Sequence, residues 1–223
     1  MAKVKTQEEI RQENVAEQVS KTEQFYNENK KKIWGAVAAV VVVFLGALGY
    51  AKFIYAPACQ EAQGAAYNAE LSFLAGNFDL ALNGDGANLG FADVCSQYGS
   101  KAGNATYLYA ATCAAQLGQW EDVLEYAGKY NGKDRILGPR GLALKGDAYV
   151  ALGETAEAAA CYMKAAAKAK NAFAAAYLVK AGVAYEALGE PAKALKCYKD
   201  VKYKYAQSVE AYDIDKYIAR VSE

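Results

Sequence analysis

The chain alternates two kinds of hydrophobic pattern. Residues 33–51 carry no acid or base at nineteen positions, and Val, Ala, Leu, Phe and Ile dominate them. A helix rising ~1.5 Å per residue would span roughly 28 Å there, close to the hydrocarbon thickness of a bilayer. Lys52 is placed to snorkel, Ile54 and Tyr55 prolong the run, and Trp34 and Tyr50 stand where aromatic belts form. The pattern predicts a transmembrane helix over residues 33–55. A core helix of a soluble domain rarely runs so long without polar relief. Beyond residue 60 the run gives way to short apolar repeats at helical spacing, broken by glycine.

Those repeats are self-similar. LAGNFDLAL from Leu74, QLGQWEDVL from Gln116, ALGETAEAA from Ala151 and ALGEPAKAL from Ala187 align on Gly76, Gly118, Gly153 and Gly189, which are 42, 35 and 36 residues apart. Around the last two the match extends at an offset of 36, pairing Gly146 with Gly182, Tyr149 with Tyr185, Ala158 with Ala194, Tyr162 with Tyr198 and Ala165 with Val201. Each unit reads as two antiparallel helices, with the aligned glycine ending the first and Glu154 or Glu190 opening the second. Gly146 and Ala158 let the helices approach, and Tyr149 and Tyr162 fill the space beside the crossing. No unit buries its apolar face alone, so the units stack. Units are expected over about 60–98, 103–130, 139–170 and 174–205. In the second, Ala114 takes the first Tyr slot and Tyr126 falls one position early.

The first unit carries a surplus, NGDGANLG at residues 83–90, expected to be a surface loop before FADVCSQY resumes a helix. An EF-hand register fails at Asn83, Asp85 and Ala87, and the last glycine is one residue too far for a dinucleotide loop. After the fourth unit, Ser208 is an expected N-cap of a capping helix over residues 208–222. Val209, Tyr212, Tyr217 and Val221 are expected to face the repeats, and Asp213, Asp215, Lys216 and Arg220 the solvent.

The period and the offsets of small residue, Tyr, Leu-Gly, Ala, Tyr and Ala resemble the tetratricopeptide repeat. With the transmembrane helix read from the apolar run, the resemblance implies an all-α fold: that single N-terminal helix, then a right-handed superhelical solenoid of about four helix pairs with a C-terminal cap. The whole layout, with QFYNENKKKIWG before one span, resembles the bacterial envelope proteins typified by the ancillary Sec-translocon subunit. That family implies an inner-membrane site, periplasmic repeats, and contact with the translocon and periplasmic chaperones.

Charge orients the span. Lys21, Lys30, Lys31 and Lys32 precede it, and no Lys or Arg stands between Lys52 and Lys101. The positive-inside rule puts residues 1–32, a charged tail, in the cytoplasm and 56–223 across the membrane, which the resemblance makes the periplasm. Ala56-Pro57-Ala58 imitates a signal-peptidase site, but the preceding region and the apolar run are both too long for a cleaved signal. Cys59 lacks the leucine-like residue a lipoprotein site needs three positions earlier, where Ala56 stands. In the tail Val15, Val19, Thr22 and Tyr26 form a short stripe, too short to hold a partner helix, so a solvated, partly helical tail is expected.

Composition excludes several functions. After residue 55 there are 17 Lys and Arg against 19 Asp and Glu, which leaves no footprint for nucleic acid. The chain has no histidine, no CxxC pair, no phosphate loop and no nucleophile–base motif, so no catalytic, cofactor-binding or metal-binding residue and no small-molecule substrate is assigned. Cys59, Cys95, Cys113, Cys161 and Cys197 are expected to be mostly buried small hydrophobes. Lys193, Lys196 and Lys199 around Cys197 would lower its thiol pKa only if they reached it.

A membrane-tethered interaction scaffold is the leading reading, with partners held on the concave surface that first helices form. In the third unit Arg140, Ala143, Asp147 and Val150 recur at spacings of three or four beside Leu142, Gly146 and Tyr149. Shifted by 36 they become Ala176, Val179, Val183 and Glu186. Tyr67, Glu70 and Phe73 extend the surface through the first unit, and Leu108 and Thr112 through the second. Ordinary solvated helix is the competing reading of these candidates. A cytosol-facing, organellar import-receptor-like protein is the alternative function. Its peptide-carboxylate clamp is missing, because Ala143, Asp147, Val179 and Val183 hold the comparable positions.

Overall fold

The computed structural model describes residues 7–222, with side chains described from residue 23; Val15, Val19 and Thr22 of the tail stripe have their side chains outside the described residues. Two units are distinguishable, Met1–Pro57 and Ala58–Glu223. The first is α1 (Gln7–Tyr50) followed by a π-helical turn, Ala51–Tyr55. Its apolar run has a mean hydropathy of 2.2, none of it buried, and among the described residues it is the one helix long and apolar enough to cross a membrane. Trp34 donates its indole N–H to the Tyr26 hydroxyl at 3.0 Å, on the polar side of that run.

Every described element of the second unit is helical. The helices are α2 (Ala56–Leu74), α3 (Phe78–Asn83), α4 (Phe91–Tyr98), α5 (Asn104–Gln116), α6 (Trp120–Lys129), α7 (Leu137–Ala151), α8 (Thr155–Ala169), α9 (Phe173–Ala187), α10 (Pro191–Lys204) and α11 (Ile214–Arg220). From α5 to α11 each helix packs chiefly on its neighbours in sequence, the signature of a solenoid. The first helix of each pair ends alike. Gly153 adopts φ +84°, and the following amide, Glu154 N–H, reaches back to the Tyr149 carbonyl at 2.8 Å. Asn77 to Ser72, Gln119 to Ala114 and Glu190 to Tyr185 repeat that bond at 2.9 Å each. This is the Schellman closure, and its left-handed residue favours glycine. Gly153→Val is therefore expected to destabilise the protein by about 1–3 kcal/mol, through strain alone. A chemical-denaturation midpoint equal to wild type would contradict it.

The interior is built largely of alanine. Ala158, Ala165, Ala174, Ala175, Ala181 and Ala194 are all fully buried between α7 and α10. Helices thus approach closely, and rings fill what remains. The Tyr162 ring lies directly on Gly146: a Cβ there would stand 2.5 Å from ring carbon Cε1, and the Tyr198 ring crowds Gly182 in the same way. The second helix of the first pair is split. α3 stops at Asn83, residues 84–90 form a loop, and α4 resumes at Phe91. Within the loop Asp85 Oδ1 accepts from the amides of Ala87 at 3.0 Å and Asn88 at 2.6 Å, and Asn68 on α2 donates to the Asn88 side chain. Phe91 anchors its far end, fully buried against Phe73 and Tyr109.

The C-terminal cap departs from expectation. Val209 and Tyr212 are 88% and 94% exposed, whereas Ile214 is buried and Tyr217, Ile218 and Val221 pack on the α8–α10 core. Ser208 caps a short 3-10 turn, Val209–Ala211, accepting from the Ala211 amide. The helix restarts only after Asp213, so its phase is set from Ile214 and not from Ser208. The four inward residues then fall at i, i+3, i+4 and i+7, one helical face.

Candidate interaction surface

Asp147 on α7 and Glu186 on α9 point off the first helices, yet neither carboxylate is idle. Tyr162 on α8 donates its hydroxyl to Asp147 at 2.8 Å, and Lys180 on α9 donates to the same oxygen at 2.6 Å. Tyr198 on α10 donates to Glu186, and Arg220 on α11 grips it with two bonds of 2.7 and 2.8 Å. In both cases a carboxylate on a first helix takes a hydroxyl from its own pair and a cation from the next first helix or cap. Lys180 and Arg220 also stand over the rings of Tyr162 and Tyr217, at 5.5 and 4.9 Å. Burial and the adjacent carboxylate push the Tyr162 and Tyr198 hydroxyls well above the ordinary phenol range. They remain neutral donors at physiological pH.

The Arg220 hydrogen bonds hold Glu186 below its ordinary value of 4.5. A carboxylate whose folded pKa is depressed stabilises the fold above its unfolded pKa, and loses that contribution as pH falls through the folded value. The Glu186–Arg220 tie is thus intact at neutral pH and fails below 4.5. Arg220→Gln is expected to lower the denaturation midpoint at neutral pH while narrowing the gap to wild type in acid. A gap independent of pH would show that the pair carries no linkage.

The candidate residues divide by exposure. Tyr67, Glu70, Arg140, Val150 and Val183 are exposed, with Val150 at 50% and Val183 at 46%. Arg140 makes no ion pair among the described residues, and its charge favours ionisation of the nearby Tyr177 hydroxyl, which burial opposes more strongly. Phe73, Thr112, Ala176 and Val179 are half-buried; the Thr112 hydroxyl donates to the Leu108 carbonyl at 2.8 Å. Leu108 and Ala143 are closed off, at 8% and 1%, because both are enclosed in the helix core. What remains open among the described candidates is apolar at Val150 and Val183 and cationic at Arg140, which lies ten residues before Val150 on α7. The sequence reading missed Lys180, Tyr177 and the tie through Arg220. Opposite charges separated by slightly less than one repeat, 33 and 34 residues, were the available signal.

Among the described residues no three of His, Cys, Asp and Glu converge as metal ligands. Burial pushes the thiols up, to about 11 for Cys95 and Cys197 and about 12 for Cys113. For Cys197 this overrides Lys196, and the sulfur rests 3.7 Å from that of Met163. Thiol reagent applied to the native full chain is expected to label Cys59, which is half-buried, well ahead of the four buried cysteines, which react on denaturation. Equal labelling rates would contradict the packing.

One family match falls on the paired helices α7 and α8. Residues 139–167 match the tetratricopeptide repeat family. Among solved structures, the crystal structure of MamA is similar to this chain, with a TM-score of 0.51 and 18% identity over 69% of this chain and 91% of that one. That likeness is one of fold. No curated protein sequence matches the chain. Stacked helix pairs of this kind present their faces to other proteins, which supports a protein-interaction scaffold as the function class.

Proposed function

We propose that the protein is a membrane-anchored interaction scaffold of the bacterial cell envelope. Residues 33–55 cross the inner membrane, the tail 1–32 is cytoplasmic, and the repeats of 56–223 stand in the periplasm. There they receive protein partners on the first-helix strip of Arg140, Val150 and Val183, extended by Tyr67 and Glu70. The resemblance of the layout to the ancillary Sec-translocon subunit favours partners at the translocon and among periplasmic chaperones that handle exported proteins. One observation carries the reading: the chain joins interaction repeats to a helix whose apolar surface is wholly uncovered, with Val40, Val42, Val43 and Phe44 each more than 60% exposed.

Topology is tested by protease. In spheroplasts of the producing cells, a C-terminal tag is expected to be digested without lysis, because the lysine imbalance places the repeats outside. A tag that survives until lysis would reverse the orientation and favour the cytosol-facing, import-receptor-like alternative. A chain recovered entirely in the soluble fraction would remove the anchor.

A further inference from the structure

The two ends of the solenoid are finished differently. At the C-terminal end α11 covers α10 through the buried Ile214 and turns Asp215 and Lys216 outward. At the other end Tyr67, Leu71 and Leu74 form one stripe on α2, at i, i+4 and i+7, and are 60%, 48% and 80% exposed. The repeat register says what two of these positions do elsewhere. Shifted by 42, the offset of Gly76 from Gly118, Tyr67 and Leu71 correspond to Tyr109 and Cys113. Shifted by 77, to Gly153, they correspond to Leu144 and Ala148. Tyr109 packs on Phe73 and Phe91 of the preceding pair, and Cys113 is fully buried. Leu144 and Ala148 are buried in the core of the pairs before them. In the second and third pairs these positions receive the second helix of the pair before, while in the fourth the register gives exposed Lys180 and buried Ala184; on α2 the described solenoid leaves both open.

Charge identifies the missing element. From residue 53 to 100 there is no Lys or Arg, and the acids Glu61, Glu70, Asp79, Asp85 and Asp93 are all exposed. A second copy pairing α2 on α2 would set one acidic unit against another. A second copy stacking head-to-tail would need the basic α10, whose receiving face α11 already occupies. We infer that the α2 face of Tyr67 and Leu71 docks a basic amphipathic helix of a different protein, seated where a preceding repeat's second helix would lie. Leu80, at 38% exposure, flanks Leu71 across a cavity of about 260 Å³ closed by Asn68 and Asn88, which gives the docked helix room for a side chain. This rests on the interaction-scaffold reading, shares Tyr67 and Glu70 with the strip named there, and gives its α2 end a partner of stated chemistry.

Photo-crosslinking in the producing cells tests it, with p-benzoylphenylalanine placed in the full chain at Tyr67, at Leu71, at Val183 and, as control, at Tyr212. Peptide mapping of the adducts from Tyr67 and Leu71 is expected to return one shared segment, net positive, with apolar residues three and four apart, and none from Tyr212. Glu70→Lys with Asp79→Lys, both on exposed side chains, is expected to cut that yield severalfold. Adducts to a second copy, to lipid or to an acidic segment overturn the inference, as does an unchanged yield in the charge-reversed chain. Adducts from Val183 with none from Tyr67 or Leu71 overturn it while sparing the scaffold reading; none from any position removes both.

Discussion

Phe91→Ala is expected to destabilise the repeat unit by about 3–5 kcal/mol, the range for deleting a buried aromatic side chain. Phe91 is fully buried, stacks on Tyr109 at a ring separation of 5.4 Å, and meets Phe73 edge-on at 6.3 Å. Its position magnifies the loss. α4 is eight residues long and follows a loop, so it has little intrinsic helix stability and is held by what it buries. Removing the ring leaves a cavity and unpins the loop's far end together. Chemical denaturation of the full chain in detergent, followed by circular dichroism, is expected to show a lower midpoint and an early, shallow loss of helix from the first pair. A single transition at the wild-type midpoint would show that α4 is anchored by something else.

Gly146→Val is expected to cost about 3 kcal/mol, at the upper end of overpacking penalties, because the clash is with a ring that cannot step aside. The Tyr162 ring is 4% exposed and its hydroxyl is committed to Asp147, so moving the ring breaks that hydrogen bond as well. The loss has a different cause from that at Gly153, where a Cβ would meet nothing within 4 Å and only the backbone conformation resists. The double variant Gly146→Val, Tyr162→Ala separates the two accounts. It is expected to be less destabilised than the sum of its single changes, because Tyr162→Ala removes the ring the valine would meet and the valine partly fills the space the ring leaves. Additive losses would place the ring elsewhere.

The glycine-ended first helices and the small-residue and tyrosine slots were legible in the sequence because each rests on one residue type meeting one local demand. Gly153 supplies a left-handed backbone, and Gly146 supplies the absence of a Cβ. The split of the first pair was legible for the same reason, since Asn83 to Gly90 is dense in turn residues. What failed was phase after an irregular segment. Val209 and Tyr212 would face inward on a helix begun at Ser208, but a 3-10 turn intervenes and resets the register at Ile214. The candidate surface was harder. Spacing marks which residues share a helix face, but Leu108 is buried by neighbours from other helices, and Asp147 and Glu186 are claimed by Lys180 and Arg220 from the element beyond. Pairings between turns of the solenoid leave no periodic trace along one helix.

Packing of each helix on its neighbours in sequence also governs how the chain acquires its structure. Contacts between adjacent helices close short loops, so the entropy cost of each step is small and folding of this kind is fast. A pair whose interior is alanine needs little side-chain ordering before it packs. Such a chain can therefore add one helix pair at a time onto the last, in the order in which residues emerge, without waiting for its C-terminus.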